Sequence, residues 1–295
     1  MATTAFVFPG QGSQFVGMGR DIYGSSGMVK NLFDQANDIL GFNLVEIMFN
    51  GPEEKLRQTE IAQPAIFLHS YCEYLLLGNQ PDMVAGYSLG EITALTVAEA
   101  FGFEDALLLV KARAEAMQYA GAVNPGTMAA IIGLTDEAVE LICAQVGHAQ
   151  VANYNCPGQL VISGARQAVA EVMRQAKLAG ARPVKELGVS GAFHSPLMQP
   201  AYERLRRALN QTFVHSCGFP VYCGVNGSLF GQPVNICEML IQQLVRPVQW
   251  FIVVKRMIAD GADEFFEVGP GKVLQGLIRR IDKNMKVSGT VDFLE

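Results

Sequence analysis

Apolar positions follow two rhythms along the chain, and the change between them outlines the architecture. TAFVFPGQ is a short apolar run broken by Pro9 and Gly10, the pattern of a buried strand ending in a loop. Spacings of three and four then predict helices over Val29–Leu40 and Pro64–Leu77. Gln63-Pro64 reads as the start of the second helix, because proline is tolerated in a first turn. MVAG is a brief strand pattern, followed by YSLG and the small, apolar helical run EITALTVAEAF. Strand, tight glycine turn, helix is the order expected of an α/β protein. A further helix is predicted from Glu104 to about Tyr119.

From Thr127 the rhythm shifts. TMAAIIGL is strand-like, and TDEAVELICAQV is a helix with Thr135 as its N-cap and acidic residues in its first turn. QVANYN and QLVISG are two strands joined through Cys-Pro-Gly. ARQAVAEVMRQAKLAG is a helix closed by a glycine, and RPVKELGV is a strand. The order βαββαβ is that of a ferredoxin-like unit. It predicts a small inserted domain over 124–190, with 1–123 and 191–295 forming one large domain around it. The remainder predicts a helix (Pro196–Leu209), a strand (FPVYCGV), two helices (Val234–Leu244 and Val248–Asp260), a strand (EFFEVG), a GPGK turn and a last helix, KVLQGLIRRI.

Composition narrows the class. Of 295 residues, 50% are hydrophobic and 17% charged, enough apolar chain for a large core and far from a disordered composition. Net charge is −6 and no Lys/Arg tract stands out, so no nucleic-acid partner is expected. The opening MATTAFVFPG lacks a basic region followed by a long apolar one, and no stretch approaches the ~20 apolar residues of a membrane span. A cytoplasmic monomer without membrane association is the expectation. The six cysteines (Cys72, Cys143, Cys156, Cys217, Cys223, Cys237) form no CxxC pair, which points to free thiols and away from zinc or a disulfide framework.

The chemistry concentrates in a few segments. Gly86-Tyr87-Ser88-Leu89-Gly90 matches G-x-S-x-G, in which a serine on a sharp strand-to-helix turn needs small neighbours on both sides. The following helix start brings the Leu89 N–H to where an oxyanion would form. Phe8-Pro9-Gly10-Gln11-Gly12-Ser13-Gln14 flanks Gln11 with glycines, so its backbone can approach a ligand closely; a plain glycine loop is the alternative. A serine nucleophile needs a base. Of the four histidines, His69 lies on an apolar helix, and His148 and His215 lie in polar links. His194, within Ser190-Gly191-Ala192-Phe193-His194-Ser195-Pro196, falls at the junction of insert and large domain, a common place for a cleft. Arg113 lies on the apolar helix LLVKARAEAMQYA and needs a partner there. Either a structural carboxylate such as Asp105 or Glu115, or a substrate carboxylate held bidentately, could serve.

Together FVFPGQGSQ, QPAIF, GYSLGE, MAAIIGL, NYNCPGQLVISG, VSGAFHSPLM, RPVQW and EVGPGKVL resemble, in order and over nearly the whole chain, the malonyl-CoA:acyl carrier protein transacylase family. The resemblance implies an α/β-hydrolase-like large domain with an inserted ferredoxin-like small domain. It also implies Ser88 as nucleophile, His194 as base, and oxyanion donation by the backbone N–H groups of Gln11 and Leu89. It makes Arg113 the partner of the malonyl carboxylate and places Gln63, Asn153 and Asn155 along the cleft. Malonyl-CoA and an acyl carrier protein are the implied partners. The coenzyme A thioester is substrate, and neither a bound cofactor nor a metal is implied. Phe193, beside the histidine, resembles the malonyl-selective pattern, since its ring would crowd a branch methyl on the acyl group.

Three positions depart from that family's pattern. Tyr87 stands where histidine usually precedes the nucleophile, at the edge of the acyl pocket. Cys156 replaces a common serine beside the cleft. Asp260 stands where some members carry a glutamine near the catalytic histidine. The sequence leaves open whether Asp260 reaches His194 to complete a Ser-His-Asp triad or a backbone carbonyl orients the histidine. The main competing reading is a proofreading hydrolase that uses the same serine and histidine but releases acids to water; loss of the arginine would favour it. For an acidic carrier, docking would fall to basic residues such as Arg182 and Lys185 on the insert and Lys272, Arg279 and Arg280 near the last helix. Fatty acid and polyketide pathways both fit.

Overall fold

The computed structural model describes residues 2–292. Its centre is a parallel sheet of five strands, β1 (Thr4–Phe8), β2 (Met83–Gly86), β7 (Val221–Tyr222), β8 (Glu264–Glu267) and β9 (Lys286–Gly289). They lie in the order β7-β2-β1-β8-β9. A parallel sheet is covered on both faces, so its inner strands β1 and β2 are almost wholly apolar, and the alternation of side chains sorts them between two cores. On β1, Phe6 and Phe8 enter a large core beneath the helices Thr59–Leu77 and Phe103–Val123. Ala5 and Val7 enter a smaller one closed by the helices Trp250–Ala259 and Val273–Ile281. Chain order moves outward from β1 to β2 and β7 and then returns past β1 to β8. The carboxyl end of β1 therefore borders the crevice where such sheets hold ligands.

The remaining strands, β3 (Thr127–Ile132), β4 (Ala149–Cys156), β5 (Gln159–Gly164) and β6 (Val184–Glu186), form a separate antiparallel sheet in the order β4-β5-β3-β6. One face packs Ala129, Ile131, Val151, Leu160 and Ile162 against the helices Asp136–Val146 and Arg166–Leu178. Met128, Ala152 and Val161 lie on the other face and join the large core, so this sheet roofs part of the parallel unit. Direct hydrogen bonds join the two: Val248 N–H to the Ala152 carbonyl and Tyr154 N–H to the Val248 carbonyl, each 2.9 Å.

The described residues therefore form an α/β protein with one parallel and one separate antiparallel sheet. Several boundaries differ from expectation. The helix predicted from Pro64 begins at Thr59, with Pro64 in its interior. The N–H that proline lacks would have met the Glu60 carbonyl, and Glu60 is exposed, so water can satisfy that oxygen. The helix expected from Val248 begins at Trp250, because Val248 is spent bridging to β4. FPVYCGV contributes only the two residues of β7, and Pro196–Leu209 opens as a 3₁₀ turn before the α-helix from Gln199. The short helices Arg20–Tyr23, Leu44–Asn50 and Glu53–Leu56, and the edge strand β9, were not expected. KVSG lacks the alternation that marks a half-buried strand.

Candidate active site

Ser88 lies two residues past the end of β2 and takes the left-handed conformation, φ 55°. A non-glycine residue there is strained, and the strain holds its hydroxyl off the turn. The two glycines of the motif are required by space. A side chain on Gly86 would overlap the backbone of Gly90 and Glu91, and one on Gly90 would strike the Phe8 carbonyl of β1. The serine turn is thus wedged against the first strand. Gly10 is equally confined, against the Tyr87 carbonyl, which brings the Gln11 loop alongside Ser88.

His194 is also left-handed, φ 57°. Its Nε2 lies 2.9 Å from Ser88 Oγ, and its Nδ1 donates to the Gln243 backbone carbonyl at 2.7 Å. The carbonyl fixes the tautomer: Nδ1 carries the proton and Nε2 is free to accept from the serine. The arrangement is a dyad oriented by a carbonyl. Asp260 does not take part, because its Oδ2 accepts from the Tyr222 hydroxyl and from Arg256. Burial, seconded by the charge of Arg113, pushes the His194 imidazole down to about 4 despite the carbonyl's opposing pull, so the ring is neutral at neutral pH. The other histidines lie elsewhere: His69 is buried against Glu73 at 3.0 Å, and His148 and His215 are exposed.

Arg113 comes from the middle of the helix Phe103–Val123 and is 1% exposed. Its Nη1 donates to Gln63 Oε1 (2.7 Å), and its Nη2 to Gln243 Oε1 (2.8 Å) and Ser88 Oγ (3.0 Å). Among the described residues no carboxylate forms an ion pair with it, and its buried Nε–H has no acceptor. Neither Asp105 nor Glu115 is its partner. Burial lowers the guanidinium to about 10, against the support of Glu91 at longer range. Nε and Nη2 make up the edge of the fork that a carboxylate takes bidentately. Of that edge, Nη2 reaches Ser88 Oγ and the Nε–H is unused.

The cavity around Ser88 holds about 100 Å³ and is lined by Gln11, Gln63, Tyr87, Leu89, Arg113, Asn153, Phe193 and His194, with Met117, Met128, Val161, Leu187 and Val189 supplying apolar wall. Asn155 lies just behind it, accepting from the Tyr87 hydroxyl at 2.7 Å, while the Tyr87 ring meets Trp250 edge to face. Among the described residues the backbone N–H groups of Gln11 and Leu89 have no protein acceptor. Two free N–H donors beside a hydroxyl already bonded to a neutral imidazole can stabilise a tetrahedral oxyanion. Of the sequence candidates for docking, Lys272 pairs with Asp292 at 3.1 Å, Arg279 bonds the Val287 carbonyl, and Arg280 bonds Gln159.

Two residues of the site escaped the sequence. Gln243 orients His194 through its carbonyl and Arg113 through its side chain, and its Nε2 donates to the Ser88 carbonyl at 3.2 Å. Ile236, Leu240 and Gln243 follow each other at helical spacing, so a glutamine on the apolar stripe was the available signal. Glu91, directly after the motif, is fully buried and accepts from the Gly224 N–H at 2.6 Å. Burial raises its carboxyl to about 7, opposed by Gly224, Gln243 and Arg113.

Fold and site together define an acyltransferase. The acyl transferase domain model matches residues 5–291, and the chain belongs to that family. It is 40% identical to the malonyl CoA-acyl carrier protein transacylase of Bacillus subtilis, over 99% of this chain and 94% of that protein. Among solved structures it is similar to an acyl carrier protein S-malonyltransferase of Vibrio cholerae, with TM-score 0.94, 38% identity and full coverage of both chains. It is similar as well to a malonyl-transacylase solved in complex with its type II polyketide acyl carrier protein, with TM-score 0.95 and 35% identity over 98% and 96% of the two chains.

Proposed function

We propose that this chain moves a malonyl group from malonyl-CoA to the phosphopantetheine thiol of an acyl carrier protein through an ester on Ser88. The observation that carries the reading is the buried Arg113 fork. Among the described residues it has no carboxylate partner and carries an orphan Nε–H, and it lies 3.0 Å from the Ser88 hydroxyl. A buried cation so placed calls for an anionic acyl group.

In the first half-reaction His194 Nε2 takes the Ser88 proton as Oγ attacks the thioester carbonyl. The oxyanion is held by the N–H groups of Gln11 and Leu89. Its collapse breaks the C–S bond, and coenzyme A leaves with the proton from His194. In the second half the carrier thiol gives its proton to His194 and attacks the ester, and Ser88 departs with that proton. Arg113 holds the acyl carboxylate throughout, which fixes the chain and limits the approach of water. Phe193 and Met117 bound the space beside the α-carbon. The strand order β4-β5-β3-β6 supports a ferredoxin-like insert over 124–190 in an α/β-hydrolase-like domain, with Asn153 carrying the insert into the cleft. The proposal extends to a monomeric cytoplasmic enzyme with no cofactor of its own. Initial-rate kinetics test the scheme. Parallel double-reciprocal lines with malonyl-CoA and holo carrier, and loss of transfer in Ser88→Ala, are expected; intersecting lines or an active S88A would overturn it.

A further inference from the structure

The loop that brings Gln11 alongside Ser88 is braced by bonds within itself. Ser13 Oγ donates to the Gly10 carbonyl at 2.9 Å, and the Gly12 N–H donates to Gln14 Oε1 at 2.8 Å. The Gln11 side chain reaches out of that loop. Its Nε2 donates to Thr59 Oγ1 at 3.2 Å, at the start of the helix Thr59–Leu77. The other end of the amide, Oε1, is buried with no donor among the described residues, so the Thr59 bond alone sets the direction of the amide. Thr59 is fully buried, and its Oγ1 lies 2.8 Å from Ser190 Oγ. An amide NH₂ only donates, so Thr59 accepts from Gln11. Among the described residues its own proton meets no acceptor other than Ser190 Oγ, and the chain runs one way, from Gln11 through Thr59 to Ser190. Ser190 is held in turn by backbone packing, because a side chain on Gly121 of the helix Phe103–Val123 would strike its carbonyl. His194 follows four residues later on the same linker.

We propose that Thr59 is a positioning residue for the oxyanion site: its hydroxyl ties the loop that carries the Gln11 N–H to the linker that carries His194, so that oxyanion donor and base keep one spacing about Ser88. Thr59 is not among the residues that line the cavity and does not touch substrate. It acts through the Gln11 amide on one side and Ser190 on the other. A hydroxyl is the group the position needs, since it must accept and donate at once. The inference rests on the acyl-transfer reading, in which the Gln11 N–H holds the oxyanion.

Thr59→Val tests it in single-turnover acylation of Ser88. Valine keeps the shape and removes both bonds, so the half-buried Gln11 amide is free to swing and take its backbone N–H with it. Full loss of one oxyanion donor costs about 100- to 1000-fold, and its misplacement should lower the saturating acylation rate by about 10- to 100-fold. The half-saturating concentration of malonyl-CoA should change by less than about twofold, because ground-state binding is untouched. Malonyl and acetyl thioesters form the same oxyanion, so the malonyl/acetyl ratio should stay within about twofold of wild type. Thr59→Ser, which keeps the hydroxyl, should restore most of the rate. Ser190→Ala alone should cost less than T59V, and in the T59V background it should cost nothing further. An unchanged rate in T59V, a loss confined to half-saturation, a shifted malonyl/acetyl ratio, a T59S as slow as T59V, or full additivity with S190A would each overturn the proposal. If T59V does not fold, Thr59→Ala takes its place and the same comparisons decide. Wild-type protein that forms no acyl ester on Ser88 would instead sink the acyl-transfer reading, a separate result.

Discussion

Replacing Arg113 by alanine is the sharpest perturbation the site offers. The guanidinium is 1% exposed, bonded to Gln63, Gln243 and Ser88, and has no carboxylate partner among the described residues. With malonyl on Ser88, the variant would bury the acyl carboxylate in a cavity of about 100 Å³ with no cation facing it. Breaking a buried pair by removing one member costs about 3–5 kcal/mol. At about 1.4 kcal/mol per decade, kcat/KM for malonyl-CoA should fall by two to three and a half orders of magnitude. Acetyl-CoA loses only what both substrates share, the hydrogen bond to Ser88 Oγ, worth about 1 kcal/mol. Even that is partly offset, because removal of the Arg113 charge restores basicity to His194. The malonyl/acetyl ratio should therefore drop at least a hundredfold in rapid-quench acylation of Ser88. Arg113→Lys, which keeps the charge and loses the fork, should lie between. Folding should survive, since Glu91, already raised to about 7, can take a proton once its counter-charge is gone. Equal losses for malonyl and acetyl substrates would refute the reasoning.

Further expectations concern the base and the pocket wall. With the His194 imidazole down at about 4, kcat/KM for acylation should hold level from pH 8 to below pH 6 and fall only near 4, whereas an unperturbed histidine would fall through 6.5. In the malonyl-enzyme the acyl carboxylate cancels the Arg113 charge, so the acid limb for transfer to the carrier thiol should lie above the acylation limb; stopped pH-jump experiments compare the two. Asp260→Asn should leave acylation within about twofold, because Asp260 is engaged by Tyr222 and Arg256; a hundredfold loss would mean a triad. Phe193→Ser should admit methylmalonyl-CoA, narrowing its disadvantage by about 1–3 kcal/mol in competition assays. Gly90→Ala should fail to fold or lose all acylation, because its side chain would strike the Phe8 carbonyl.

The parts legible in the sequence were those set by local pattern. Ser88 was legible because a strand, two glycines and an apolar helix surround it, and those glycines touch backbone in the fold. The βαββαβ order of residues 127–186 was legible because alternation and helical spacing change at each boundary. Gln243 and Glu91 were not legible, since their roles exist only where the end of one helix meets the start of another, more than a hundred residues away. Arg113 shows the limit from the other side. Its apolar neighbours signal burial, but only the folded site shows that the structural partners the sequence left open, Asp105 and Glu115, are elsewhere. Whether Asp260 or a carbonyl orients His194 stayed open in the sequence for the same reason, and only the fold shows the carbonyl of Gln243 in that role, with Asp260 held by Tyr222 and Arg256. The displaced start of the Thr59–Leu77 helix reflects a proline tolerated because the carbonyl it strands belongs to an exposed residue.

The central claim is that Ser88 carries a malonyl ester and yields it to a carrier thiol in preference to water. A single-turnover chase decides this directly. The protein is loaded with one equivalent of malonyl-CoA, freed of coenzyme A, and followed by intact mass with and without holo acyl carrier protein. The expected result is a Ser88-linked malonyl group that persists in buffer and moves to the carrier thiol on mixing. Free malonate released at the same rate with and without carrier, or no ester at Ser88, would contradict it.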